Sequence, residues 1–171
     1  GSWRIVESAE SPIRDEAIAV GQDGAGSITA ERWDGAAWSA ASVNPVGSAV
    51  NPGYRGFDVA YESSSGEALV VASAGTGLQY TVWNGSSWTA LANVADYAAL
   101  SGSNSPTQVT LAPSPLGDSM ILLANGQAGN KVIAGPGADL RAFEQALEDI
   151  CVQLARAIAR EDAAANAAIG R

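Results

Sequence analysis

The chain has 171 residues, 47% apolar but only 6% aromatic, with a formal net charge of −9, which bounds it to one domain of ordinary size or a small domain with an appendage. The acidic balance and scattered Lys and Arg argue against a nucleic-acid footprint, because phosphates are neutralised by clustered cations. Histidine is absent and Cys151 is the single cysteine, so a His-dependent triad and an intrachain disulfide are excluded, no metal or cofactor is expected, and Cys151 reads as a small buried apolar side chain.

In chain order, Gly1-Ser2 reads as a cloning remnant and Trp3 to Glu7 as the return strand of a hairpin, so the chain starts mid-repeat. No basic-then-apolar leader and no run of about 18 apolar residues occurs, so nothing is expected to target or span a membrane. Glu16 to Val20 is a short strand and Ile28 to Trp33 another, joined by a glycine-rich turn whose Asp23-Gly24-Ala25-Gly26 lacks the carboxylates of a calcium loop. Ala30-Glu31-Arg32-Trp33-Asp34-Gly35-Ala36-Ala37-Trp38 then has the pattern strand, tight turn, strand, and Asp-Gly predicts a two-residue turn. After Asn44-Pro45 and Asn51-Pro52-Gly53, an alternating strand follows with Phe57, Val59 and Tyr61 on one face. Glu67 to Val71 pairs next, and Tyr80-Thr81-Val82-Trp83-Asn84-Gly85-Ser86-Ser87-Trp88 repeats the tryptophan hairpin.

Setting the two hairpins over each other also sets Glu16 to Val20 over Glu67 to Val71. The repeat is therefore roughly 50 residues with about four strands, the size of a propeller blade. The chain holds little more than two such units, so a different β-sheet fold is expected before a closed propeller. A third start, Gly117-Asp118-Ser119-Met120-Ile121-Leu122-Leu123-Ala124, aligns with Gly66-Glu67-Ala68-Leu69-Val70-Val71-Ala72.

Beyond Gly135-Pro136-Gly137 the pattern changes. Asp139 is placed as a cap, and Leu140, Phe143, Leu147, Ile150, Leu154 and Ala157 recur at spacings of three and four, which predicts an amphipathic helix. The expected architecture is α+β: a mainly antiparallel sheet of repeats over residues 1–134, with a linker and one long C-terminal helix over 135–171 packed on the sheet. The helix stripe would also serve for self-association if the sheet left it uncovered.

Arg55 to Glu62, Ser65 to Val71 and Trp83 to Trp88 carry a resemblance of residues 3–95 to bacterial extracellular β-repeat proteins. That resemblance implies propeller-like architecture without an assigned reaction. Asp118 to Gly126, Phe143 to Leu147, Cys151, Leu154-Ala155 and Ile158 to Arg160 make residues 117–160 similar to a strand-turn-helix fragment of the ornithine acetyltransferase family, self-cleaving enzymes with an N-terminal threonine nucleophile. The family's threonine cleavage segment and oxyanion residues are absent here, so no catalytic residue carries over. One explanation of this pairing is a chimeric or artificial chain, designed, shuffled or generated.

Among candidate sites, Thr76, Thr81 and Thr110 have no base placed beside them, and Glu148 and Asp149 point apart on the expected helix, as a solvated face does. Asn84-Gly85-Ser86 matches a glycosylation acceptor, but its turn role accounts for it. Trp33, Trp38, Trp83 and Trp88 are the binding candidates, since indoles beside hairpin turns can stack on sugars. The competing reading makes them cross-strand core, which a chain with so few aromatics needs. The expectation is thus a non-catalytic scaffold or β-repeat interaction module with no nucleic-acid or membrane partner. The alternatives are a saccharide-binding surface module using those tryptophans, a module with a protein ligand, or an inactive ornithine acetyltransferase fragment.

Overall fold

The computed structural model describes residues 2–40, 46–49, 51–94, 97, 105–126 and 129–132. The chain divides into two units, Gly1–Gly135 and Pro136–Arg171; the second lies outside the described residues. Within the first, the strands in chain order are β1 (Trp3–Glu10), β2 (Ala17–Asp23), β3 (Ser27–Trp33), β4 (Trp38–Ala40), β5 (Gly47–Ser48), β6 (Phe57–Tyr61), β7 (Ala68–Ala74), β8 (Gly77–Trp83), β9 (Ala92–Asn93), β10 (Pro106–Pro113), β11 (Met120–Gly126) and β12 (Gly129–Val132).

Three hairpins repeat the same geometry. Each closes on a backbone bond of 2.8 Å, from Ser11 N to Glu16 O, from Glu62 N to Glu67 O and from Ser114 N to Ser119 O. The registers agree: Ala17 lies opposite Glu10, Ala68 opposite Tyr61, and Met120 opposite Pro113. The first repeat therefore runs β1 to β4 and the second begins at β6, with β5 bridging them by pairing both β3 and β7. The third, β10-β11-β12, forms its own three-stranded sheet rather than joining the other strands. Strands β1 and β10 both pack against β6, so the opening strands lie side by side, as in neighbouring propeller blades.

Equivalence of Ser119 with Glu67 moves the third repeat by one residue from the sequence alignment, which put Asp118 there. In a strand one residue inverts every side chain. Met120, Leu122 and Ala124 consequently occupy the places of Ala68, Val70 and Ala72 and face the second repeat, where they are buried. Ile121 and Leu123 point outward and are each 37% exposed.

Two cores form, one per seam between repeats. Ile18, Val20, Ile28 and Ala30 of the first repeat meet Phe57, Val59, Tyr61, Val70 and Trp83 of the second. On the opposite face of the second repeat, Ala60, Val71 and Leu78 meet Val109, Leu111, Met120 and Leu122 of the third, with Tyr97 completing the cluster. This explains why β6 is buried along its whole length: a strand packed on both faces reads as a continuous apolar run. The opening Trp3 belongs to β1, not to the return half of a tryptophan hairpin. Its ring lies on Gly21, where a Cβ would come within 1.9 Å, and its Nε1 donates to Thr29 Oγ1 at 3.0 Å.

The α+β expectation is corrected. The elements with defined bounds among the described residues are all strands, and the sheet faces that line the two cores are covered by neighbouring repeats. Small side chains such as Ala60, Ala68 and Ala72 allow sheets to approach closely without a helical layer. The helix itself, from Asp139 onward, and with it Cys151, lies outside the described residues.

Candidate functional site

The tryptophan hairpins have a wider turn than Asp-Gly predicts. Four residues, not two, separate the paired tryptophans: Trp33 lies directly opposite Trp38, and Trp83 bridges Trp88. Asp34 Oδ1 accepts from the N–H groups of Ala36 and Ala37 at 3.0 and 2.9 Å. Asn84 Oδ1 does the same for Ser86 and Ser87 at 3.0 and 2.9 Å. These side-chain bonds hold the turn, and its glycines adopt positive φ, 91° at Gly35 and 92° at Gly85. The Ala37 and Ala36 N–H groups also hold the Asp34 carboxyl below its ordinary pKa. Asp23 Oδ1 accepts from Ala25 and Ser27 N–H groups, so that loop is a side-chain-capped turn of the same kind.

The indole rings in each pair are tilted, with centroids 5.9 Å apart in the first hairpin and 5.5 Å in the second. Each pair extends into a row across its repeat. Glu10, Ala17, Trp33 and Trp38 are successive cross-strand neighbours in the first; Tyr61, Ala68, Trp83 and Trp88 are their counterparts in the second. Alternation puts Arg32 on the other face of β3 from Trp33.

That alternation builds a polar seam against the second row. The Arg32 guanidinium carbon stands 4.8 Å from the Trp83 ring centroid. Glu16, only 7% exposed, gathers the groups around it: Oε1 accepts from Arg14 Nη2 at 3.1 Å and from the Tyr61 hydroxyl at 3.0 Å, and Oε2 accepts from Arg32 Nη1 at 3.5 Å. Arg14 also donates to the Gly66 carbonyl. Burial, reinforced by the adjacent Glu16 carboxylate, pushes the Tyr61 phenol well above its ordinary pKa. A buried carboxylate so satisfied acts as a clamp between repeats. Sequence reasoning missed this group. The equivalence of Glu16 and Glu67 was visible, but which side chains converge on Glu16 depends on the neighbouring repeat.

The four tryptophans therefore differ in surroundings. Trp83 is buried, Trp88 is half-buried against the same core, Trp33 is half-buried, and Trp38 is 52% exposed. Thr81 donates to the Thr89 carbonyl at 2.8 Å, and Thr110 Oγ1 accepts from Arg55, so both hydroxyls serve the fold.

A concavity of about 360 Å³ lies among β1, β6 and β10 and is lined by Glu10, Asp58, Tyr61, Ser63, Leu111 and Pro113 among others. Asp58 accepts from the N–H groups of Val59 at 2.9 Å and Leu111 at 2.7 Å, which ties β6 to β10. Burial raises its pKa against the lowering effect of those bonds. Arg55 pairs with Glu7 at 2.6 Å and links β1 to Thr110.

No known family profile matches the chain. In sequence it is similar to the arginine biosynthesis bifunctional protein ArgJ of Thermosynechococcus vestitus, 48% identical over 52 residues, which are 30% of this chain and 12% of that protein. In structure it is similar to Aleuria aurantia lectin in complex with alpha-methyl-L-fucoside, with a TM-score of 0.47 and 15% identity over 78% of this chain and 46% of the lectin. It is similar also to an arginine-substituted form of AofleA from Arthrobotrys oligospora, with a TM-score of 0.41 and 16% identity over 80% of this chain and 43% of that one. The chain thus spans less than half of either solved structure and a minor part of ArgJ. The expectation of an artificial scaffold finds no support in these likenesses.

Proposed function

We propose that this chain is a non-catalytic saccharide-binding module whose platform is the outward row of the first repeat, centred on Trp33 and Trp38. The observation that carries this is the exposure of Trp38, at 52%, in a hairpin whose second copy is sealed. An indole presents a flat apolar face to the C–H face of a sugar ring while nearby polar groups take the hydroxyls. Here Glu10 and Glu31 lie on the same side of the sheet as Trp33, and Asp15 lies beside Gly35. Trp83 is assigned to the core and Trp88 to its rim.

The test is a titration followed by intrinsic tryptophan emission with a panel of oligosaccharides that includes alpha-methyl-L-fucoside. A saturable change that disappears in Trp38→Ala, with the urea midpoint kept, is the expected result; no saturable response to any saccharide would sink the reading. The 52-residue match to ArgJ favours a second reading, a fragment of that enzyme without its nucleophile. Acetyl transfer between ornithine and glutamate by the purified chain would establish activity that neither reading expects.

A further inference from the structure

The turns at Asp34-Gly35 and Asn84-Gly85 share their geometry and differ in chemistry, the first carrying a carboxylate where the second carries a carboxamide. Asparagine is a labile residue, because the backbone nitrogen of the next residue can attack its side-chain carbon. A following glycine, with no Cβ, leaves that approach unhindered.

Three features that favour this attack meet at Asn84. Its Oδ1 accepts from Ser86 N at 3.0 Å, from Ser87 N at 2.9 Å, from Ser86 Oγ at 2.9 Å and from Ser87 Oγ at 3.5 Å. Donors gathered on a carbonyl oxygen draw electrons from its carbon and hold the negative charge that attack places on the oxygen. The Gly85 N–H has no hydrogen-bond partner among the described residues, so nothing competes for the nucleophile. Arg14 of the first repeat lies beside it: a Cβ on Gly85 would stand 3.1 Å from the guanidinium carbon and 3.2 Å from Nη1. A cation so placed favours loss of the nitrogen's proton. The other asparagine-glycine pair, Asn125-Gly126, lies in β11, where extended backbone is paired with β10 on one side and β12 on the other.

We infer that Asn84 is a site of spontaneous deamidation promoted by its own turn and by Arg14. Base removes the Gly85 N–H proton, and the nitrogen bonds to Asn84 Cγ. The tetrahedral oxyanion on Oδ1 collapses, the Cγ–Nδ2 bond breaks, and ammonia leaves with a proton from water. The resulting five-membered imide is opened by a second water, so carboxamide and water become carboxylate and ammonium with no oxidation. Opening at Cγ gives an ordinary aspartate, which the first turn accepts at Asp34. Its charge stands beside Arg14, one of two guanidiniums that share the single carboxylate of Glu16. Opening at the backbone carbonyl gives isoaspartate, which adds a methylene to the main chain and breaks the Trp83–Trp88 bridge. None of this depends on the saccharide reading.

The experiment incubates the whole chain in mildly alkaline buffer and follows both asparagines by peptide mapping with mass spectrometry, an isoaspartyl methyltransferase marking the isoaspartate. A parallel sample in concentrated urea gives each site's rate in the unfolded chain. Expected is conversion of Asn84 about tenfold or more faster than Asn125 in the folded chain, and no slower than Asn84 converts in urea. Arg14→Gln and Ser86→Ala should each slow the folded rate about threefold while leaving the rate in urea unchanged. Slower conversion of Asn84 folded than unfolded overturns the inference, since the turn would then shield the amide. Equal folded rates at Asn84 and Asn125 overturn it as well. An unchanged folded rate in both variants, with urea midpoints kept, removes the assigned cause. If Arg14→Gln fails to fold, Ser86→Ala at its exposed position and the folded-to-unfolded ratio decide the matter.

Discussion

The hairpins at Trp33–Trp38 and Trp83–Trp88 share sequence, turn chemistry and register, yet one is a surface and the other is core. Arg32, Ile18 and Val20 of the first repeat close over the second row; in the first row Trp38 is 52% exposed. Burial of a repeated motif is thus decided by the neighbour and not by the motif. The same holds at the third repeat, where Met120 and Leu122 are sealed while Ile121 and Leu123, one residue away each, stand partly open.

The comparison is sharpened most by truncating matched residues. Trp83→Ala should cost about 3–5 kcal/mol, the usual loss for a large buried aromatic, as a lowered urea midpoint. Next in size is Glu16→Ala, which leaves the Tyr61 hydroxyl and two partly exposed arginines without their acceptor. A loss of about 1–3 kcal/mol is expected after allowing for solvent screening of the arginines. An unchanged midpoint would show that the seam is held by apolar packing alone. Trp38→Ala should shift stability by no more than about 0.5–1 kcal/mol while removing the saccharide response. If it destabilised as much as Trp83→Ala, the two hairpins would not differ as described.

Two acid-base effects of opposite sign separate interior from surface. Asp58 has its pKa raised by burial, so the folded state binds a proton more tightly than the unfolded chain. Its contribution makes the fold more stable as pH falls from neutral through the raised value, and becomes constant below the ordinary aspartate value. Asp58→Asn should flatten that part of the profile and lower stability generally, because Oδ1 accepts from the Val59 N–H and Oδ2 from the Leu111 N–H, and an amide would turn a donor toward one of them. Asp34 has its pKa lowered by the Ala37 and Ala36 N–H groups. The stability it contributes is present above the ordinary aspartate value and is lost as pH falls through the lowered one. Asp34→Asn, which makes the first turn like Asn84 of the second, should remove this smaller acid sensitivity, read as the difference between urea midpoints measured along an acid titration.

Much of the β architecture was legible because it is local. Alternation at Phe57, Val59 and Tyr61 marked a strand, Asp34-Gly35 and Asn84-Gly85 marked turns, and the match of Glu16 to Glu67 placed equivalent hairpins in register. The candidate tryptophans were legible as a set, but not which of them is open. The third repeat was found one residue out of place, since the pattern of Met120 to Ala124 is apolar on both faces and periodicity cannot choose between them. The Glu16 seam was not legible at all, because its members come from positions 14, 16, 32 and 61 on three different strands and loops.

The sequence by itself determined the strands, the turns and the repeat, for those follow from backbone preferences and the two-residue period of side chains along a strand. Only the tertiary structure decided that repeats pack on repeats, that Trp83 is covered by Arg32, and that Trp38 is not. Exposure belongs to a pair of surfaces, and one stretch of chain carries information about only one of them.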